Sequence, residues 1–333
     1  MSGILRIGIL GAARVAPNAI IKPARDNTET EVVAVAARDP QRAKDFADKH
    51  GVPRIVGSYA DLLADREVDA VYNPLPNGLH GRWTLAALEA GKHVLCEKPF
   101  TANADEARTV AKAAKESGLV AMEAVHYRYH PLARRMREIV ASDELGPIRH
   151  VEASFCFPLL NGGDIRYNRE LAGGALMDAG CYAVHIVRML ADAEPEVVAV
   201  KAKLRNLDVD RAVTAELRFP SGATGVVRCS MLGARVFQIS AKAVGARGEM
   251  RVINPLAPHM YHRLSVRGAD GRRVERLTRR PSYAFQLDAF AGAALRGEPL
   301  LTPLSDSIAN MSVIDSIYRA AKLEPRRPTA KIG

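Results

Sequence analysis

A lysine stands in this chain where a turn residue would be expected. In Gly91-Lys92-His93-Val94-Leu95-Cys96-Glu97-Lys98-Pro99-Phe100, a short apolar run bounded by Gly91 and Pro99 ends on Glu97 and Lys98. His93–Cys96 reads as a buried parallel strand. In open α/β sheets ligands bind beyond the carboxyl ends of such strands, so Lys98 points at whatever the sheet holds. The competing reading is a surface lysine at a strand end. A second set of reactive types lies in Gly173-Gly174-Ala175-Leu176-Met177-Asp178-Ala179-Gly180-Cys181-Tyr182, with His185 just beyond. If Gly174 to Leu190 is a helix, Asp178, Tyr182 and His185 fall at i, i+4 and i+7 on one face, while Leu176, Ala183, Val187 and Leu190 fall on the other. Periodicity alone describes an amphipathic helix with a wet polar face. A tyrosine and a histidine beside an aspartate, after a glycine pair that permits close backbone approach, are unusual for such a face.

The elements that must position these residues begin at the N-terminus. Ile4 to Leu10 is an apolar β run that turns through Gly11-Ala12-Ala13-Arg14-Val15-Ala16 into a helical stretch. This is a Gly-x-Gly-x-x-Gly/Ala loop with Ala13 at the second glycine. Small residues belong there because the backbone must turn tightly and approach a pyrophosphate. The second strand, Glu31 to Ala36, ends in Ala37-Arg38-Asp39-Pro40-Gln41-Arg42. An acid at that strand end would bind the ribose 2′-hydroxyl of NAD. Here Ala37 leaves no acid to repel a 2′-phosphate, and Arg38 offers a guanidinium fork for it, which argues for NADP. Arg14 and Arg42 are candidate helpers, or simply solvated helix arginines. Asp39 keeps NAD possible. A further apolar run, Val68 to Tyr72, leads into Asn73-Pro74-Leu75-Pro76-Asn77-Gly78-Leu79-His80 and a helix beginning near Arg82-Trp83. Trp83 is the only tryptophan, and helix packing is its simpler role.

The Gly-rich turn, the Pro-Asn-x-x-His element at Pro76 to His80, Glu97-Lys98-Pro99 and the segment Glu123 to Pro131 together resemble the glucose–fructose oxidoreductase/inositol dehydrogenase (Gfo/Idh/MocA) family. The resemblance covers essentially the whole chain. Within the family, Val33 to Asp39 and Gly173 to Tyr182 look like the NADP-dependent trans-dihydrodiol dehydrogenase and D-xylose 1-dehydrogenase branch. Much of the family has Asp-x-Gly-x-His-x-x-Asp where this chain has Tyr182 at the histidine position and His185 at the last aspartate position.

The resemblance implies a dinucleotide-dependent oxidoreductase. An alcohol that gives a hydride to nicotinamide must also lose its hydroxyl proton to a base within hydrogen-bond reach. Tyr182 is the base in this reading. The Lys98 ammonium favours its phenolate and stabilises developing alkoxide charge, and Asp178 orients the substrate or the lysine. Gly11, Ala12, Ala13, Arg14, Val15, Ala37, Arg38, Arg42, Pro76, Asn77, His80, Glu97 and Lys98 are the expected cofactor contacts, with helix capping the alternative for His80. His126, Tyr127, Arg166, Asp178, Tyr182 and His185 are the expected substrate contacts, His130 lies beside them, and a loop arginine is the alternative for Arg166. No metal is expected. The substrate is a polyhydroxylated small molecule: a sugar, a polyol or a cyclic diol. Two alternatives stay open, a dinucleotide-bound sensor without turnover and a sugar–sugar oxidoreductase that holds its cofactor tightly.

The expected fold class is α/β: an N-terminal Rossmann domain with a doubly wound parallel sheet over residues 1–124, and a C-terminal α+β domain with a mostly antiparallel open sheet over 125–333. The strands of the second domain are expected at Arg149 to Phe157, Val197 to Arg205, Ala212 to Phe219, Ala223 to Met231 and Gln238 to Val244, with a hairpin at Pro220-Ser221-Gly222. Ser307 to Lys322 reads as a closing helix able to pack back on the first domain. The family commonly pairs subunits through the second sheet, which implies a homodimer or homotetramer.

Composition excludes several classes. No apolar stretch approaches the ~20 residues that span a bilayer, and Met1-Ser2-Gly3 leads into the first strand without a signal peptide, so no membrane partner and a cytoplasmic location are expected. Cys96, Cys156, Cys181 and Cys229 have neither paired nor metal-ligand spacing, so free thiols are expected. The net charge is +10, and Arg272, Arg273, Arg276, Arg279 and Arg280 form a basic cluster. No nucleic-acid motif accompanies it, and a solvated loop is expected there.

Overall fold

The computed structural model describes residues 3–205, 208–233, 237–269 and 271–330. Met1 and Ser2, on which the absence of a signal peptide was argued, lie outside them. The chain divides into two compact units, Met1–His126 with Tyr283–Ile308, and Tyr127–Ser282 with Ala309–Gly333.

In the first unit the described strands are β1 (Leu5–Leu10), β2 (Thr30–Ala36), β3 (Arg54–Val56), β4 (Ala70–Asn73), β5 (His93–Cys96) and β6 (Ala121–Glu123). They form a parallel sheet in the order β3-β2-β1-β4-β5-β6, the doubly wound order whose switch point lies between β1 and β4. Ile7, Ile9, Val35, Val71, Val94 and Leu95 are fully buried, as expected where both faces of a parallel sheet are covered. Register aligns Asn73 with Cys96 and Cys96 with Glu123, so the carboxyl ends of β4, β5 and β6 form one row. The helix after β2, Pro40–His50, shows how local sequence sets its bounds. Asp39 caps it by accepting from the amides of Gln41 and Arg42, Pro40 opens it, and Gly51 closes it at φ 68°.

The second unit holds β7 (Ile148–Cys156), β8 (Glu196–Leu204), β9 (Asp210–Arg218), β10 (Thr224–Ser230), β11 (Gln238–Gly245), β12 (Glu249–Ile253), β13 (Arg263–Gly268) and β14 (Gly271–Glu275). Their order is β14-β13-β12-β11-β7-β10-β9-β8. Only β7 and β10 run parallel among the described pairs, so the sheet is mostly antiparallel. Gly222, at φ 85°, turns β9 into β10, and the Phe219 amide donates to the Ala223 carbonyl at 2.8 Å. The helix Cys181–Ala191 packs on β7, β10 and β11.

The domain division is corrected. The second domain is not the contiguous stretch 125–333, because Tyr283–Ile308 group with the first unit. The helix Ser282–Arg296 buries Leu287, Phe290 and Ala291, and Asp288 accepts from Asn27 Nδ2 at 2.9 Å while Arg296 pairs with Glu29. The segment that returns is thus an earlier helix than Ser307 to Lys322; the observed helix there, Leu304–Ala320, counts mostly with the second unit. Of the two readings of the site helix, the wet polar face is excluded: Cys181 to Arg188 are buried all round, so the loaded face is interior. The five arginines of the basic cluster are exposed, as expected, and at that surface Arg273 pairs with both Glu144 and Glu275 while Arg279 donates to the carbonyls of His259 and Met260.

Candidate active site

In the first unit the turn after β1 depends on Gly11. Its φ is 96°, and its amide donates to the Ala36 carbonyl at 2.7 Å, locking the ends of β1 and β2 together. A Cβ at Gly11 would lie 3.1 Å from Leu75 Cδ2 and 3.6 Å from the Tyr59 hydroxyl, so the glycine keeps an open cradle at the switch point. Ala12, Ala13 and Val15 continue the turn half-buried, with Ala13 N donating to Gly11 O at 2.9 Å. A pyrophosphate fits this loop: small residues, a positive φ and a backbone that approaches closely. Arg14, Arg38 and Arg42 are exposed around it, and Arg42 Nη2 lies 3.4 Å from the Ala12 carbonyl oxygen. Ala37 is buried, and the Asp39 carboxylate is engaged as the helix cap, which turns it to its own backbone. Tyr59 was not foreseen. Burial raises its pKa, opposed by the nearby charges of Arg38 and Arg42 and by the Arg38 backbone. Trp83 packs edge-on against Tyr59, ring centroids 4.9 Å apart, and the Arg82 guanidinium lies 5.6 Å over the Trp83 ring.

Lys98, half-buried, follows β5 as expected, and the residue before it explains how it is held. Glu97 is 7% exposed; Tyr72 donates to its Oε1 at 2.7 Å and the Lys98 amide to its Oε2 at 3.3 Å. Burial raises the Glu97 carboxyl pKa, while the Lys98 charge and the Tyr72 hydroxyl oppose the rise. Glu97 thus backs the lysine. The Lys98–Pro99 peptide is cis, and the Phe100 amide donates to Glu123 Oε1 at 2.9 Å.

His80 is placed between two loops at the strand ends. It is 1% exposed, with Nδ1 2.7 Å from the Pro99 carbonyl oxygen and Nε2 2.6 Å from that of Leu75. The ring thus stands between the loop after β4 and the loop after β5, and in its neutral form it donates to one of the two carbonyls. Burial pushes the imidazole down to about 4, against the two carbonyls that favour its charged form. Asn73, also buried, donates to the His80 carbonyl at 3.1 Å, and Pro76 and Asn77 stand half-buried at the start of the turn Asn77–Leu79. His126 stacks on Tyr283, ring centroids 4.1 Å apart, and burial with the Glu97 charge raises the Tyr283 phenol. Tyr72, Asn73 and Tyr283 carried no motif; only the row of strand ends could have drawn attention to Asn73.

In the second unit Asp178, Tyr182 and His185 share one buried segment, whose first turn, Leu176–Gly180, is π-helical before the α-helix Cys181–Ala191. Such turns recur at functional sites because they re-aim side chains without breaking the helix. The Asp178 side chain is 10% exposed, and Arg166 Nε stands 4.0 Å from its Oδ1. Gly173 permits that approach, since a Cβ there would lie 2.5 Å from the Arg166 carbonyl oxygen. Tyr182 is buried between two aromatic rings, Tyr127 at 6.1 Å and Phe155 at 5.9 Å between centroids. The Tyr127 hydroxyl lies 2.5 Å from His185 Nδ1, both side chains being buried. His185 therefore engages Tyr127, and the expected substrate group Tyr127, Tyr182 and His185 is one packed cluster. His130 caps the helix Pro131–Ala141 instead, through the Leu132 amide.

Known proteins resemble this chain over most of its length. Residues 5–125 match the oxidoreductase family with an NAD-binding Rossmann fold, and residues 133–251 match the GFO/IDH/MocA C-terminal domain. A D-xylose 1-dehydrogenase (NADP(+)) from Haloferax volcanii is 40% identical over 96% of this chain and 98% of its own. The chain belongs to the Gfo/Idh/MocA family. It is an oxidoreductase of that family, with the α/β architecture expected. A human trans-1,2-dihydrobenzene-1,2-diol dehydrogenase is 34% identical over 76% of this chain and 74% of its own. Among solved structures, a 3-ketoreductase from Actinomadura kijaniata in complex with NADP and TDP-benzene superposes with a TM-score of 0.89 at 31% identity, covering 96% of this chain and 98% of the ketoreductase.

Among the described residues no helix is long and apolar enough to cross a membrane, and no group of three or more His, Cys, Asp or Glu has a metal-site arrangement. The four cysteines are free and buried.

Proposed function

We propose that this Gfo/Idh/MocA protein uses NADP to transfer a hydride between the nicotinamide and a carbinol carbon of a sugar, polyol or cyclic diol, with Tyr182 and Lys98 as the proton-transfer pair. The observation that carries the reading is the buried setting of Tyr182, packed between Tyr127 and Phe155 on a π-turn helix with Asp178 one turn earlier. The NADP named for the D-xylose dehydrogenase and bound in the ketoreductase supports the cofactor, as do the exposed guanidiniums around the Gly11 turn.

NADP, when bound, supplies the hydride acceptor. The turn from Gly11 to Val15 holds the pyrophosphate, Arg38 with Arg14 and Arg42 takes the 2′-phosphate, and Pro76 and Asn77 line the nicotinamide end. Tyr182 Oη takes the substrate hydroxyl proton in oxidation and returns it in reduction. The Lys98 ammonium favours the tyrosinate and the developing charge on the substrate oxygen, with Glu97 holding the lysine backbone. Asp178 and Arg166 orient the substrate hydroxyls. Val198, Ile253 and Val274 are exposed apolar residues of the second sheet and support a homo-oligomer formed through it.

The test is absorbance at the reduced-nicotinamide band with NADP or NAD and a panel of aldoses, inositols and trans-cyclic diols. Tyr182→Phe is expected to lower turnover on the responsive substrate by about 10²–10⁴-fold with unchanged NADPH affinity. Retained turnover removes the tyrosine from this role. Silence with every substrate, although NADPH binds, overturns this substrate class and leaves the sugar–sugar oxidoreductase with a tightly held cofactor and the sensor as the readings to pursue.

A further inference from the structure

The helix that carries Asp178 and Tyr182 starts from a buried ionic hub assembled by three distant segments. Asp210 and Arg326 pair at 2.6 Å, and neither side chain has any exposure to solvent. Asp210 Oδ2 accepts from the Leu176 amide at 2.7 Å, at the first residue of the π turn. Its Oδ1 accepts from the Tyr318 hydroxyl at 2.9 Å and from Arg326 Nη2. Arg326 also donates Nε–H to the Gly173 carbonyl at 2.8 Å and Nη1–H to the Asp208 carbonyl at 3.2 Å, and its guanidinium lies 4.4 Å over the Tyr318 ring. The hub leaves no room beside Gly174: at φ 145°, a Cβ there would collide with Asp210 Oδ1 and meet Arg326 Nη2 and Tyr318 Oη at 2.9 Å.

A desolvated ion pair is a poor source of net stability, since apolar residues of equal volume commonly serve as well. What it does supply is direction. One carboxylate fixes the first amide of the π turn, one guanidinium fork fixes the carbonyl three residues earlier, and the two groups fix each other. The glycine pair is then held from both sides, by Arg166 and Asn168 backbone against Gly173 and by the hub against Gly174.

We infer that Asp210 and Arg326 are positioning residues for the proton-transfer machinery, setting the start of the π turn and through it the angle at which Asp178 and Tyr182 are presented. This rests on the role given to Tyr182 above. Neither residue touches the reacting atoms. Tyr318 orients the pair by donating to the carboxylate and stacking under the guanidinium.

The test combines Arg326→Lys and Asp210→Asn, each alone and in a Tyr182→Phe background. Lysine keeps the charge but cannot reach Asp210 and the Gly173 carbonyl together, and asparagine keeps an acceptor for Leu176 while removing the charge. Both variants are conservative, which keeps folded protein available where Arg326→Ala does not fold. Single-turnover hydride transfer, NADPH affinity by fluorescence and amide hydrogen exchange over residues 174–182 are measured on each full-length protein. The expected result is a loss of turnover of about 10- to 100-fold, the scale of a misplacement near 1 Å, with NADPH affinity within about 2-fold of the parent.

In the Tyr182→Phe background the same substitutions are expected to add less than about 2-fold, because the group they position is already gone. A loss carried undiminished into that background, or turnover within about 2-fold of the parent in folded single variants, overturns the inference. Turnover retained by Tyr182→Phe alone refutes the tyrosine's role instead. In that case the exchange data decide: faster exchange confined to 174–182 supports the hub as the anchor of the turn, and unchanged exchange removes it.

Discussion

Replacing Arg38 by alanine should separate the two nicotinamide cofactors. Arg38 stands exposed just past the end of β2, while Ala37 is buried and Asp39 is engaged as a helix cap. A guanidinium fork on a phosphate makes charge-assisted hydrogen bonds that contribute about 1.5–3 kcal/mol. The side chain is solvated, so the lower part of that range applies, about 1.5–2 kcal/mol, which is about 10- to 30-fold in kcat/KM for NADP. NAD lacks the phosphate, so its kcat/KM should change by less than about 3-fold. Arg42, 3.4 Å from the Ala12 carbonyl oxygen, sits on the same rim, and Arg38→Ala with Arg42→Ala should abolish the preference for NADP. The assay is initial rate against each cofactor at saturating substrate, repeated at low and high salt. The Debye length shrinks from ~8 Å at physiological ionic strength to ~3 Å at 1 M, so the parent's NADP preference should itself decline with salt. Equal losses for both cofactors in Arg38→Ala would refute the reasoning and leave Arg38 a surface residue.

Two further outcomes follow from burial. Asp210→Ala strands the Arg326 guanidinium, the Tyr318 hydroxyl and the Leu176 amide without their acceptor, so urea unfolding followed by circular dichroism should show a loss of about 3–5 kcal/mol, and a loss under about 1 kcal/mol would mean that water enters the hub. His80, held down to about 4 in the folded protein and near 6.5 unfolded, binds fewer protons folded than unfolded between those values. Its contribution is present above pH 6.5 and is lost as pH falls towards 4, amounting to about 2 kcal/mol by pH 5. The parent's stability should therefore fall more steeply from pH 7 to pH 5 than that of His80→Gln, and parallel curves would show that the two carbonyls keep the ring charged.

What was legible in the sequence is what one segment decides by itself. The Gly11 turn, the strand before Lys98 and the arginine after β2 are each a run of neighbours whose chemistry does not depend on the rest of the chain, and the parallel sheet follows from the same runs. The glycine pair at 173 and 174 was visible, but its reason was not, because the atoms that forbid a side chain there come from Arg166, Asp210 and Arg326. Whether the polar face of the site helix is wet was hidden for the same cause. A period of 3.6 reports which residues share a face and says nothing about what covers it, and here Tyr127, 58 residues from its partner His185, turns the polar face inward. His80 shows what a motif residue can do that its spelling does not tell: its two nitrogens face carbonyls of two different loops, one of them 19 residues away. The buried hub lies furthest beyond local reading. Asp210 is an ordinary strand residue and Arg326 an ordinary tail arginine until the chain folds, and 116 residues separate the two charges that fix the start of the helix. A tail arginine that is fully buried thus joins the reactive end of the chain to its close, and exchanging it for lysine, which preserves charge and loses the fork, is the perturbation that separates geometry from electrostatics at this site.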